Sequence, residues 1–129
     1  MDALREIVDV RQVPGEPKRR WFSSEDIDLI VWLDDSGAPV SFQLCYDKLQ
    51  SEHALTWQPE FGFVHLAVDG GEQGVGFQYK STPILVAGGH CDANRVTSRF
   101  TEVSGQLPSV IVEFVTERLR QHPDYVHRA

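Results

Sequence analysis

The 129-residue chain has only two cysteines, Cys45 and Cys91, and neither belongs to a CxxC pair. Zinc-ribbon and dithiol redox spacings are therefore excluded. In a reducing compartment two such thiols are expected to be free and buried rather than bridged. No stretch approaches the roughly 18 consecutive apolar residues of a membrane-spanning helix, so no membrane role is expected. Positive charge is scarce as well, with 12 Lys and Arg against 19 Asp and Glu, a net charge of −7. That balance argues against a nucleic-acid partner, since phosphate contacts need clustered cations. The one basic cluster, Lys18-Arg19-Arg20 followed by Trp21-Phe22, has the composition of a strand-stacking site. In an acidic chain it reads better as a solvated loop. The opening MDALREIVDVRQ lacks the basic start and apolar run of a secretory signal, so a cytoplasmic location is expected. Repeats and low-complexity segments are absent. The glycine-rich stretch Asp69 to Gly76 lacks the lysine and spacing of a phosphate loop, and no cofactor motif appears.

What the chain does have is a β-hairpin pattern between Asp26 and Lys48, DIDLIVWLDDSGAPVSFQLCYDK. Ile27, Leu29, Val31 and Leu33 alternate on one arm, and Val40, Phe42, Leu44 and Tyr46 on the other. Pairing Leu33 with Val40 across a turn at Asp35-Ser36-Gly37-Ala38 sets Val31 opposite Phe42, Leu29 opposite Leu44, and Ile27 opposite Tyr46. A slip of one residue would scatter these side chains over both faces, so the register is strongly specified. Gly37 supplies the positive φ such a turn needs.

Further strands are expected over Leu4 to Val13, His53 to Gln58, Phe61 to Asp69 and near Phe77 to Ala87, with turns at Pro14 to Pro17 and Pro59-Glu60. Phe61 to Asp69 is apolar on both sides and reads as a central strand. Asp92 reads as an N-cap, followed by a helical stripe of Ala93, Val96, Phe100 and Val103 that ends at Gly105. Pro108 opens a second helix with Ile111, Phe114, Val115 and Leu119 on its apolar side, and His122-Pro123 stops it. Strands first and helices last predict an α+β fold. It is a single domain over 1–129, an antiparallel meander of about five to six strands with two C-terminal helices packed on one sheet face. Truncating Leu29 or Phe114 in the expected core should cost several kcal/mol, on the order of 2–5.

The run RRWFSSEDIDLIVWLDDSGAPVSFQLCYDK, continued by EHALTW, resembles a small family of uncharacterised bacterial proteins. The likeness extends from Arg19 to about Leu119. It implies a bacterial, cytosolic origin and brings no activity with it, so no functional residue is carried over.

Four chemistries are open. Cys91, beside His90 and just before the expected N-cap, could be a thiol nucleophile with His53 or His65 as base. Asp92 opposes that reading, because a nearby negative charge disfavours thiolate. His53, His65, His90, Cys45 and Cys91 are potential metal ligands, but none are paired at a binding spacing, and a lone strand histidine is more often structural. Asp26, Asp28 and Asp47 are expected to crowd one end of the hairpin, where a raised pKa on one would allow acid–base work. The fourth reading needs the fewest assumptions. The second hairpin face carries Ile30, Trp32, Gln43 and Cys45 with Asp28 and Asp47 at its end, and Trp21, Phe22 and Trp57 could extend it. That is the composition of an interface core with polar handles. The best expectation is a non-enzymatic binding or interaction module that takes a small molecule or a protein partner, most simply a homodimer.

Overall fold

In the computed structural model, residues 3–8, 10–49, 51–69, 84–87 and 91–127 are described. Seven strands precede two helices: β1 (Arg5–Ile7), β2 (Lys18–Ser23), β3 (Asp28–Leu33), β4 (Pro39–Tyr46), β5 (His53–Gln58), β6 (Gly62–Asp69), β7 (Ile84–Ala87), α1 (Ala93–Val103) and α2 (Ser109–Arg120). The strands form one antiparallel sheet in chain order, each bonded to its neighbours in sequence. This is the expected α+β meander with its helices last.

The hairpin register is the expected one over most of its length, with Val31 opposite Phe42, Leu29 opposite Leu44 and Ile30 opposite Gln43. It differs at the turn. A bulge between Trp32 and Leu33 sets Leu33 against Pro39 instead of Val40. Pro39 has no N–H to give the ladder, and the turn is built around Asp34 rather than starting at Asp35. The Asp34 carboxylate accepts from the Ser36 and Ala38 N–H groups, and its backbone N–H donates to the Ala38 carbonyl. Gly37 takes φ +88°, where a Cβ would be strained.

A second difference concerns Lys18 to Ser23. It is β2, not a solvated loop, and the first strand shrinks from the expected Leu4 to Val13 to the three residues of β1. Beyond β1 the edge of β2 is closed by one side chain. Gln12 accepts from the Arg19 N–H and donates to the Arg19 carbonyl, both at 2.9 Å, as a neighbouring strand would. Capping an edge in this way also removes a template for unwanted strand pairing.

The register sorts side chains into rows. One face carries Glu6, Phe22, Leu29, Leu44, Leu55 and His65 in one row, and Arg20, Val31, Phe42, Trp57 and Phe63 in the next. Both helices pack here. Phe22, Leu29, Val31, Phe42, Leu44 and Leu55 form one buried cluster with Val96, Phe100, Ile111, Val115 and Leu119. Phe114 lies at its margin, edge-on to Phe42 at 6.1 Å. The Asp92 carboxylate caps α1 by accepting from the Arg95 N–H, and Pro108 occupies the N-cap of α2. The Leu4 N–H donates to the Val103 carbonyl, which ties the N-terminal segment to the end of α1.

Candidate functional site

The reverse face of the sheet has its own rows: Arg5, Ser23, Asp28, Cys45, Ala54 and Leu66, then Ile7, Trp21, Ile30, Gln43, Thr56 and Val64. Arg19, Trp32 and Ser41 follow. None of these residues joins the helix-covered cluster. Ile30, Cys45 and Asp28 are nonetheless buried, whereas Trp32, Gln43 and Trp21 are half-buried. Ile7 and Val64 are about two-fifths exposed, at 39% and 42%. Val64 is more open than a strand buried on both faces would have it. The Trp21 indole N–H is shielded from water and has no acceptor among the described residues. Leaving such a donor unmet costs on the order of 1–3 kcal/mol.

One end of this face holds a compact ionic group. The Lys48 ammonium donates to the Asp28 carboxylate at 2.6 Å and to the Ser24 carbonyl at 2.7 Å. The Ser23 hydroxyl donates to the same Asp28 oxygen at 2.5 Å. Glu52, just before β5, lies within electrostatic reach of Asp28 and Lys48. Its pKa is raised above the usual carboxylate value, first by burial and then by the charge of Asp28, with Lys48 opposing. Burial likewise pushes the Cys45 thiol far up, helped by Glu52 and Asp28. Cys45 is therefore an inert small residue here.

The expected crowd of three carboxylates does not form. Asp28 takes Lys48, Asp47 takes Arg95 in a two-pronged pair at 2.7 and 3.2 Å, and Asp26 takes Arg99 at 3.4 Å. Asp47 sits just after β4 at φ +56° and turns toward α1, away from the reverse face. Trp57 is also on the helix side, edge-on to Phe114 at 5.7 Å, with the Arg118 guanidinium 4.8 Å above its ring. Phe22 is a core residue. Of the three aromatic residues expected to extend the reverse face, only Trp21 belongs to it. Ile30, Trp32, Gln43, Cys45 and Asp28 share that face; Asp47 and Trp57 do not.

The two histidines in question lie together on the helix side. The His53 and His65 rings stack at 5.0 Å, Tyr46 stacks on both, and the Tyr46 hydroxyl meets His65 Nε2 at 2.5 Å. Tyr46 also hydrogen-bonds the Cys91 thiol. This contact brings a thiol, a phenol and an imidazole into one chain, but burial raises the pKa of Cys91, and Asp124 and Asp92 add to the effect. Burial also raises that of Tyr46. A neutral thiol at 1% exposure is a packed group rather than an activated nucleophile. Both cysteines are free. Among the described residues no set of three or more His, Cys, Asp or Glu side chains is placed to hold a metal ion. His90 lies outside the described residues, as do most of the glycine-rich stretch and Phe77 to Thr82.

Sequence reasoning missed Lys48, Glu52 and Ser23. Lys48 and Glu52 read as parts of a connection, and the reach of Lys48 to Asp28 is set by the hairpin's three-dimensional path. Comparison of the chain with protein-family models, curated proteins and solved structures finds no match.

Proposed function

We propose that the protein is a non-enzymatic interaction module that pairs with a second copy of itself through the reverse face of the sheet. The observation that carries this reading is one-sided covering among the described residues. Both helices pack on one face, while the other presents Trp21, Trp32, Ile7 and Val64 partly exposed around buried Ile30. Aromatic residues around an apolar centre, with Gln43 and Thr56 as polar handles, have the composition of an interface.

Size and charge favour a second copy as occupant. Six inter-strand spacings of about 4.8 Å and strands about 20 Å long give a footprint of roughly 580 Å². Two such faces bury about 1,200 Å², the lower edge of the range for stable pairs. Among the described residues the charged groups of the face, Arg5, Arg19 and Lys48 against Asp28 and Glu52, nearly balance, although the chain carries −7. A two-fold axis therefore brings no strong like-charge repulsion across this surface.

Sedimentation of the wild type should show a dimer at tens of micromolar, with Trp32→Ser monomeric and folded. A wild type that stays monomeric, or a dimer indifferent to Trp32→Ser, would overturn the reading. The thiol-enzyme alternative has the Cys91–Tyr46–His65 contact in its favour and the neutral, buried thiol against it.

A further inference from the structure

We propose that a groove along α1 is a further binding site, one that takes a small organic acid by a single carboxylate at Arg120. The groove is a cavity of about 700 Å³, bounded by Arg120 at the end of α2 and by Tyr125 beyond it. Small-molecule sites span roughly 300–1,000 Å³. None of its lining residues belongs to the reverse-face rows, so the site is independent of the pairing reading.

Its wall is in place before any ligand arrives. The Asn94 side chain donates to the Val126 carbonyl and accepts from the Val126 N–H, both at 2.8 Å, which fastens the segment after α2 to α1. The Asp124 carboxylate accepts from the Cys91 N–H at 3.3 Å, and Tyr125 packs against the core cluster. A site fixed in this way has little conformational freedom to lose on binding.

What the groove can hold follows from which of its polar groups are already engaged. Arg95 is forked onto Asp47 at 2.7 and 3.2 Å, and Glu102 accepts from Arg99 at 2.6 Å. The Asp92 carboxylate caps α1 through the Arg95 N–H. Thr97 and Thr101 donate to the Ala93 and Thr97 carbonyls at 2.6 and 2.8 Å. Among the described residues the Arg120 guanidinium and the Ser98 and Tyr125 hydroxyls of the lining have no hydrogen bond or ion pair. All three can donate, and one is a cation. Their complement is an anionic acceptor, and a planar guanidinium takes a carboxylate in two parallel bonds. Asp92 and Glu102 also line the groove, and two carboxylates oppose a doubly charged ligand more than a singly charged one. The lining thus favours a monocarboxylate over a phosphate, and the Tyr125 ring offers surface for the apolar part of the acid. The net charge of −7 opposes any anion, but that long-range effect is screened at about 0.15 M salt, where the Debye length is near 8 Å.

The test is a titration followed by amide NMR in about 0.15 M salt, with butyrate as the probe and butylammonium and inorganic phosphate for comparison. Butyrate should give saturable shifts at the amides of 92–102, Arg120 and Tyr125, with a Kd on the order of 1 mM. Phosphate and butylammonium should bind there at least about ten-fold more weakly. Arg120→Gln should weaken butyrate at least about ten-fold, Tyr125→Phe about three-fold, and the exposed control Arg11→Gln not at all. Shifts that do not saturate, or that keep the wild-type Kd in Arg120→Gln, overturn the site. Phosphate or butylammonium binding in the groove as tightly as butyrate overturns its assignment to a carboxylate.

Discussion

Leu29 and Ile30 are consecutive residues of one strand, both buried and both aliphatic, yet they belong to different environments. Leu29 lies in a row of Phe22, Leu44 and Leu55, sealed by two helices. Ile30 lies in a row of Trp21, Gln43 and Thr56, with no helix against it among the described residues. The central rows of the helix side confine charge to their ends, at Glu6 and Arg20. The reverse side carries an ion pair one position from Leu29, at Asp28. Alternation assigns a residue to a face, but it does not say what the face is for. The polar residues make that distinction. A surface destined for helices excludes them, and a surface that must also be stable in water keeps them.

The largest effects should separate the faces outright. Phe42→Ala removes a fully buried ring that packs on Phe114, and the expected loss is about 3–5 kcal/mol in a urea melt. Trp32→Ser, on the reverse face, should cost the single copy well under the Phe42→Ala loss, about 1 kcal/mol, because its ring is only partly buried and no helix packs on it among the described residues. Equal losses from the two variants at dilute concentration would mean that both faces are core, and the contrast would collapse. Phe114→Ala should fall below Phe42→Ala, since Phe114 only borders the cluster.

Next in size is the ion pair of the reverse face. Lys48→Met strands Asp28, whose side chain is only 10% exposed, beside a second carboxylate. Breaking a well-buried pair costs 3–5 kcal/mol, and the 21% exposure of Lys48 reduces the expectation to about 2–3. The double variant Asp28→Leu with Lys48→Met should recover most of that loss, because no unpaired charge then remains. Thermal or urea melts of the two variants and the double measure this coupling. Strict additivity would show that the pair stands free in solvent.

Much of this division was legible beforehand, and the exceptions have physical reasons. The hairpin register followed from the period of two, because only one pairing gathers Leu29, Val31, Phe42 and Leu44. The helices followed from the Asp92 cap and the stripe through Val96 and Phe100. Lys18 to Ser23 was misread because lysine and arginine are poor strand signals by themselves. Pairing with β3 and the Glu6–Arg20 pair at 2.7 Å make it a strand. The turn length depended on Pro39 and the Asp34 carboxylate, which act locally and leave no periodic trace. The ionic group was illegible for another reason: Lys48 and Asp28 are 20 residues apart, and their meeting depends on how the chain leaves β4. Asp47 and Trp57 were assigned to the wrong face on related grounds. The positive φ at Asp47 breaks the alternation that β4 sets up, and the face of Trp57 is set by the β4–β5 register, which pairs it with Phe42.

The smallest effect sharpens the contrast most narrowly, because Asp47 and Lys48 are adjacent and their partners lie on opposite sides of the sheet. Lys48 reaches Asp28 on the reverse side, and Asp47 reaches Arg95 on the helix side. The second pair has better geometry, two prongs on one carboxylate, yet Arg95 is 48% exposed and sits in the first turn of α1. A cation there meets the positive end of the helix dipole, which offsets part of the attraction. Its stacking over Tyr46 at 5.8 Å returns little. Arg95→Ala should therefore cost no more than about 0.5 kcal/mol, and less as salt is added. If thermal melts place Arg95→Ala level with Lys48→Met, then exposure does not rank these two pairs. The geometry of the Asp47–Arg95 fork would then matter more than the burial of Asp28, and the two sides of the sheet would have to be weighed by hydrogen bonds rather than by access to water.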